Sequence, residues 1–381
     1  MPDYSSYIGI VGGGISGLTV GCALRSQGIK TIIFERSKSL NEHGGGISIS
    51  PNAVKVLDRL NVKEKFISSS SSPEKILIHY KNKKIADIKG DKYFVTSTRQ
   101  NLLQIMYQRY IELGGEIKFG HEFQGLNQDK IELDFTNNQQ YKVSHILGCD
   151  GIKSPLREGF FPDSGKPFYS GYNAWRGIGS AELQDGKIYL GNGKHIVIYP
   201  ANSHGKVSFT AVVKNKNSIT DSWRTKGSKH ELLEDFKTFN EDTFSMLRSG
   251  EEIYKWGIYI RPPLNSFYIE NLTLLGDAAH PMVPFLGQGA CMAMEDAYTF
   301  GILAGKFSSD FKTIQNLYET LRLKRTNSIQ SQSLLQGKIY HLENPVMVFL
   351  RNTFIRYTPS VDYRMKKIWK YDVHNELDKH L

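Results

Sequence analysis

The sequence predicts an α/β fold: a parallel-sheet domain built from strand–helix–strand units, interrupted by a β-rich insertion and closed by a helical C-terminus. Three observations carry this expectation. An apolar run at Ile8, Gly9, Ile10 and Val11 enters a glycine turn and a helical stretch, and a second apolar run, Thr31 to Phe34, follows. From about Phe168 to Tyr259 the chain changes to short apolar segments rich in aromatics, as expected of strands. After Thr313 everything reads as helix.

The first unit also carries chemistry. Gly12-Gly13-Gly14-Ile15-Ser16-Gly17 is a G-x-G-x-x-G turn between a strand and a helix. Gly12 permits the tight turn, Gly14 lets the backbone approach a pyrophosphate, and Gly17 lets the helix pack close to the strand. Free N–H groups at the helix start, around Ser16, face the phosphates. Glu35 ends the second strand, in register to accept hydrogen bonds from ribose hydroxyls, with Arg36 beside it. These residues predict a bound dinucleotide; no second G-x-G-x-x-G follows.

The bulk composition suits a soluble enzyme. The chain has 381 residues, 40% hydrophobic and 23% charged, enough for a large core in two or three domains. No stretch approaches the ~18 apolar residues of a spanning helix. The first strand begins too near Met1 for a signal peptide, so the cytoplasm is expected. Cys22, Cys149 and Cys291 lie far apart, without metal or disulfide spacing, and read as buried packing residues. The net charge of +10 comes from scattered lysines rather than a basic run interleaved with aromatics, which argues against nucleic acid. Such a field draws in anionic cofactors and acidic substrates. Arg364, Lys366, Lys367 and Lys370 could add a weak attraction to anionic membranes.

Along the chain, Gly44 to Asn52 reads as a flexible loop leading into a helix to about Leu60, and Ser68 to Ser72 with Pro73 as a loop or boundary. Ile76, Ile78, Tyr80, Ile85 and Ile88 alternate as in a hairpin. A helix follows Arg99, and strands recur at Ile117, Ile131 to Phe135 and Val143 to Leu147. One helical insertion, about Lys229 to Leu247, interrupts the β-rich region. The α/β pattern returns at Leu272, and a proline- and glycine-rich loop runs into a helix from about Gly289.

Three further motifs join the first. They are Gly148-Cys149-Asp150-Gly151 with Ser154 and Arg157, Gly276-Asp277-Ala278-Ala279-His280-Pro281 continued by Pro284 and Gly287-Gln288-Gly289-Ala290, and Arg99 opening a helix. Together they resemble the single-component flavoprotein aromatic hydroxylases, in particular the salicylate hydroxylase-like branch. The resemblance extends to Tyr169 to Gly177 and Tyr318 to Arg322 and spans nearly the whole chain. It implies a p-hydroxybenzoate hydroxylase-like fold: a Rossmann-like FAD-binding domain in parts 1–72, 96–165 and 266–312, a substrate domain from the hairpin 73–95 and the sheet 166–265, and a helical region 313–381. It also implies FAD as cofactor, with Asp277 on ribityl hydroxyls, Arg99 on phosphate or ribityl oxygens, Asp150 near cofactor or nicotinamide, and the loop from Pro284 to Ala290 against the flavin. A helix N-terminus at Gly289 would stabilise the negative charge of reduced flavin.

On the substrate side, Gly191 to Pro200 resembles the family segment that carries a histidine and, four residues on, a tyrosine beside the ring being hydroxylated. In a strand His195, Val197 and Tyr199 share one face. A histidine has a suitable pKa to take a phenolic proton, and Tyr199 would hydrogen-bond the substrate; the alternative for His195 is a structural sheet histidine. Arg176 or Lys194 could pair with a substrate carboxylate. His280 reads as a turn stabiliser, His43 and His79 as surface or rim residues, and Ser48 stands where some family members have a histidine. The resemblance implies an NAD(P)H- and O₂-consuming monooxygenase that hydroxylates a small phenolic or hydroxy-heteroaromatic acid through a flavin C4a-hydroperoxide. The alternatives are an oxygenase of the same fold acting on a quinone precursor or polycyclic antibiotic, and a non-catalytic binding protein that keeps the nucleotide fold.

Overall fold

The computed structural model describes residues 3–40, 45–202, 205–217, 219 and 225–381; His43 lies outside them. The first strand, Ile8–Val11, is buried along its whole length, as a strand covered on both faces must be. It pairs in parallel with Thr31–Glu35 and His145–Gly148. Glu116–Phe119 extends one side and Leu272–Leu274 the other, both parallel, and Tyr268–Ile269 closes the edge antiparallel. Between the first two strands, helix Ile15–Ser26 packs on helices Gly289–Phe307 and Arg99–Glu112. Gly17 makes that crossover possible: a Cβ there would lie 1.9 Å from the Gly12 carbonyl oxygen.

A second sheet of seven strands faces the first domain, in the order Glu252–Ile260, Phe168–Ser180, Lys206–Lys214, Lys194–Pro200, Gly186–Leu190, Lys75–Tyr80 and Lys83–Lys89. The hairpin joins it through the parallel pairing of Ile188 with Ile78; the other neighbours run antiparallel. Strand alternation divides its faces. Ile196, Ile198, Phe209 and Trp175 pack with Leu232, Phe236, Met246 and Leu247 of two covering helices. His195, Val197 and Tyr199 take the opposite face.

The observed α/β architecture agrees with the expected fold class, and several local readings need correction. Gly46–Ile49 is a strand paired antiparallel with Val95–Thr98, not a flexible loop. The insertion near Lys229 is two helices, Lys229–Phe236 and Glu241–Arg248, because the Asn240 carboxamide accepts from the Thr243 N–H at 3.2 Å and starts a new helix. The strand expected from Val143 begins at His145. The helical tail breaks at Pro345, at Pro359 and after Trp369 into Phe311–Tyr340, Pro345–Tyr357, Ser360–Trp369 and Val373–Asp378. Of the basic C-terminal cluster, Lys366, Lys367 and Lys370 are exposed, whereas Arg364 turns inward to the Gln336 side chain. Among the described residues no helix is long and apolar enough to cross a membrane. All three cysteines are buried and free.

Helix Gly289–Phe307 is tied to its surroundings by two buried acids. Glu295 accepts from Arg322 Nη1 at 2.7 Å, from Arg325 Nε at 2.7 Å and from Asn52 Nδ2 at 2.7 Å. Asp296 accepts from Arg322 Nε at 2.8 Å, from the Gly276 N–H at 3.1 Å and from His280 Nε2. Burial alone would raise Asp296, but the His280 and Arg322 charges overcome it and bring its pKa down to about 2. Glu295→Gln leaves Arg325 without its carboxylate and Arg322 with Asp296 alone, and removing one partner of a buried pair costs about 3–5 kcal/mol. Urea unfolding of the variant is expected to show that loss; a change below about 0.5 kcal/mol would mean that the cluster contributes little.

Candidate active site

A cavity of about 1030 Å³ lies between the two sheets, at the top of the roughly 300–1000 Å³ range of small-molecule sites. It gathers the sequence motifs from distant parts of the chain. Gly12, Gly14, Ser16, Glu35, Arg36, Arg99, Asp150, Asp277, Pro284, Gly287, Gln288, Gly289 and Ala290 all line it, as do His195 and Tyr199. Gly17 does not; its place is the close packing already described.

The dinucleotide end follows from the first strand–helix unit. Gly12 has φ +106°, and its Cβ would lie 2.4 Å from the Cys149 carbonyl oxygen, so the turn itself requires glycine. Gly14 differs. Its φ of −76° and ψ of −167° suit any residue, and a Cβ there would meet nothing within 4 Å. The chain itself gives no reason for glycine at 14, whereas a ligand lying against the backbone does. Ser16 is nearly buried, its hydroxyl donating to Cys149 Sγ at 3.5 Å. Glu35 accepts from the Gly13 N–H at 2.7 Å and from the Ser37 N–H at 2.8 Å, which fixes its carboxylate at the rim.

Helices Ile15–Ser26 and Gly289–Phe307 both begin at this cavity without a side-chain cap, whereas Thr98, Asn240 and Asn344 cap theirs. Uncapped N–H groups and the positive end of the helix dipole favour negative charge. Gly287, at φ +63°, makes the turn into the second of these helices. Gln288 turns its side chain inward, donating to Ser50 Oγ at 2.9 Å, so only its backbone is left to face a ligand. Asp150 is pushed up to about 6 by burial, and its Oδ1 has no partner. Asp277 is also raised by burial, though its carboxylate opens onto the cavity. Two acids with acceptor capacity in an enclosed site suit hydroxyl or amide donors of a ligand.

Across the cavity, His195 is 2% exposed, among the rings of Phe285, Tyr340 and His341. Burial holds its pKa well below the ordinary value. Tyr199 keeps its hydroxyl protonated, raised by burial. It lies near Ser208, whose Oγ accepts from the Gly46 N–H at 2.9 Å. Arg176 lines the cavity and donates from Nη2 to the Gly46 carbonyl at 2.8 Å. Lys194 does not belong to the site: one residue from His195, it points to the opposite face and donates to the Asp235 carbonyl at 2.6 Å. His280 is buried on Asp296, in agreement with a turn-stabilising role. His79 is half-buried and stacks on Tyr189 rather than standing free at the rim.

Sequence reasoning missed several lining residues: Trp256, Phe285, Gln336, Tyr340 and Arg364. It also missed His341, whose Nε2 lies 2.8 Å from His195 Nδ1. Most come from the helical tail, where an apolar or basic residue at helical spacing carries no local sign of facing a cavity. Arg364 presents a buried Nε without a partner.

Comparison with known proteins agrees with this geometry. The profile of the family described as "FAD binding domain" matches residues 6–309. The chain is similar to a 3-amino-4-hydroxybenzoate 2-monooxygenase of Streptomyces platensis, 26% identical and covering 96% of this chain and 95% of the relative. It is also similar to a 3-hydroxybenzoate 6-hydroxylase of Klebsiella oxytoca, 28% identical over 87% of this chain and 88% of the relative. Among solved structures, a salicylate hydroxylase substrate complex superposes with a TM-score of 0.83 at 22% identity, covering 98% of this chain and 97% of the other, which shows the shared fold.

Gly14→Val tests the cradle directly. Because the backbone there is unstrained and the space open, the variant is expected to fold with wild-type thermal stability in the apo form yet bind FAD at least about 100-fold more weakly, close to 3 kcal/mol. FAD titration of apoprotein measures this; wild-type affinity would remove the pyrophosphate from that position.

Proposed function

The chain belongs to the FAD-binding-domain family, and we propose that within it the protein is an FAD-dependent monooxygenase, consuming NAD(P)H and O₂, that hydroxylates a small phenolic or hydroxy-heteroaromatic acid. The observation that supports this reading is one cavity lined both by the glycine turn Gly12 to Ser16 with two uncapped helix starts and by apolar side chains around the buried His195, with Arg176 and Arg364. The named relatives act on hydroxylated benzoates.

In this reading Gly12 to Ser16 and the uncapped helix start hold the FAD pyrophosphate, with Glu35 and Arg36 on the adenosine side. Arg99, Asp150 and Asp277 bind phosphate, ribityl or nicotinamide groups, and the backbone from Pro284 to Ala290 faces the flavin ring. The nucleotide-fold segments 1–72, 96–165 and 266–312 then form the FAD domain, and 73–95 with 166–265 the substrate domain, followed by the helical region 313–381. When bound, the flavin supplies the redox chemistry between NAD(P)H and O₂. The chain's own residues bind, orient and deprotonate the substrate.

Val197, Val212, Trp256, Phe285 and Tyr340 enclose an aromatic ring and exclude water. Arg176 or Arg364 pairs with its carboxylate, and Tyr199 donates a hydrogen bond. His195 stands neutral near pH 7, because burial disfavours its cation, and so can accept the phenolic proton. That burial also weakens it as a base, and the negative charge of a bound carboxylate offsets the effect. The phenolate is the electron-rich form that accepts oxygen. Phenol, O₂, NAD(P)H and a proton give hydroxylated product, NAD(P)⁺ and water; attack at a carboxylate-bearing carbon releases CO₂ and leaves a catechol. NAD(P)H is a cytoplasmic reductant, which makes the cytoplasm the proposed place of action.

The test is to purify the protein, record its flavin spectrum and follow NADH and NADPH oxidation with salicylate, 3-hydroxybenzoate, 3-amino-4-hydroxybenzoate and 6-hydroxynicotinate in turn, with product analysis. A yellow protein whose oxidation rate rises with one acid and yields a hydroxylated product is the expected result. Bound FAD without response to any of them would direct the search to larger substrates, and a protein that binds no FAD would overturn the reading.

A further inference from the structure

His195 is one of a pair. Its Nδ1 lies 2.8 Å from Nε2 of His341, and Nδ1 of His341 lies 2.7 Å from the Gly337 carbonyl oxygen. His341 ends the long helix Phe311–Tyr340 as its C-cap, so the same helical turn supplies both the ring and the carbonyl that holds it. Both histidines are buried, at 2% and 3% exposure, and Tyr172 and Phe285 pack on the His341 ring.

The direction of these bonds can be deduced. A carbonyl oxygen only accepts, so Nδ1 of His341 carries the hydrogen. A neutral imidazole then has its lone pair on Nε2, and the 2.8 Å contact requires the hydrogen to sit on His195 Nδ1. In neutral His195 the remaining lone pair is on Nε2. His195 lines the cavity, and no hydrogen bond to its Nε2 occurs among the described residues. Burial keeps His341 neutral, its pKa brought down to about 4.

We propose that His341 is a positioning residue for the reaction: by accepting the Nδ1–H of His195 it fixes the tautomer and ring orientation that present His195 Nε2 to the substrate's phenol. This deepens, and rests on, the reading of His195 as the base. In the step it serves, the phenolic O–H bond breaks, its electron pair stays on oxygen and the proton passes to His195 Nε2. The Nδ1–H of the resulting imidazolium then makes a stronger bond to His341. A carboxylate performs this service in hydrolase triads; here a neutral imidazole does so, with no second negative charge beside a phenolate. The other groups facing the pair are Tyr172, Arg351 and the ion pair of Lys214 with Glu343 at 2.8 Å on the His341 side, and Tyr340 on the His195 side. Of these, none makes a hydrogen bond to either histidine ring among the described residues.

The holoenzyme is compared with His341→Phe, which keeps a ring between Tyr172 and Phe285 but loses the acceptor, with His341→Gln, which restores an acceptor oxygen, and with His195→Ala. The probe is 3-hydroxy-4-nitrobenzoate, whose bound phenolate is read by its visible absorbance across pH, alongside kcat and KM for the responding acid. His341→Phe is expected to raise the pH at which the bound phenol ionises by about one unit or more and to lower kcat at least about tenfold with KM little changed. His341→Gln should recover most of both. If His195→Ala loses product while His341→Phe keeps the wild-type kcat and titration, the positioning role is overturned and His195 remains the base. If His195→Ala matches wild type in both readouts, the base assignment fails and the positioning role with it. Nitrogen-15 shifts of His195 in the unmodified holoenzyme decide the matter even if a variant does not fold: hydrogen on Nδ1 agrees with the proposal, and hydrogen on Nε2 contradicts it.

Discussion

Two adjacent carboxylates buried in helix Gly289–Phe307 hold the molecule together where it matters for chemistry. Glu295 and Asp296 are both fully buried and are shared among Arg322, Arg325, His280, Asn52 and the Gly276 N–H. Those partners belong to the long C-terminal helix, to the turn carrying Asp277 and to the early helix Pro51–Arg59. Removing so many charges from water is costly, and the cluster is tolerable because all four carboxylate oxygens accept hydrogen bonds. The helix start at Gly289 and the turn at Asp277 therefore cannot shift independently. Both border the cavity at the expected flavin position.

The same cluster reaches the far side of the site through a rigid rod. Arg322 and His341 are joined by one unbroken helix and its cap, a span of about 28 Å at 1.5 Å per residue. Anchoring Arg322 on Glu295 and Asp296 sets the register of that helix and so fixes where Gly337 and His341 meet His195. The sheet contributes the rest by its two-residue period. One face of Lys194–Pro200 packs on two helices and the other lines the cavity, so a shift by one residue would exchange Lys194 for His195 at the site.

The dinucleotide half was legible because its chemistry is local. A tight turn, a close backbone approach and a helix start fall within residues 12–17, and Glu35 is placed by the next strand; each demand leaves a glycine or an acid at a fixed spacing. Gly14 is informative because nothing in the folded chain requires it. His195 and Tyr199 were readable through the family resemblance of Gly191 to Pro200, and strand alternation puts them on one face. The Gly46–Ile49 strand was hidden, since its glycines suggest a loop and its partner Val95–Thr98 lies far along the chain. Lys194 was misplaced because a basic residue beside a histidine looks available until pleating sends it away. His341 and Arg364 left no local signature at all: their placement depends on long-range docking of the helical tail.

In the proposed function this cavity joins a reduced flavin, O₂ and a phenolic acid in a single oxygen insertion. Single-turnover reaction of the reduced holoenzyme with isotopically labelled O₂ and the responding acid, followed by mass spectrometry of the product, tests it most directly. One labelled oxygen atom in the hydroxylated ring is the expected result. Product oxygen drawn from water, or labelled peroxide with the acid unchanged, would contradict it.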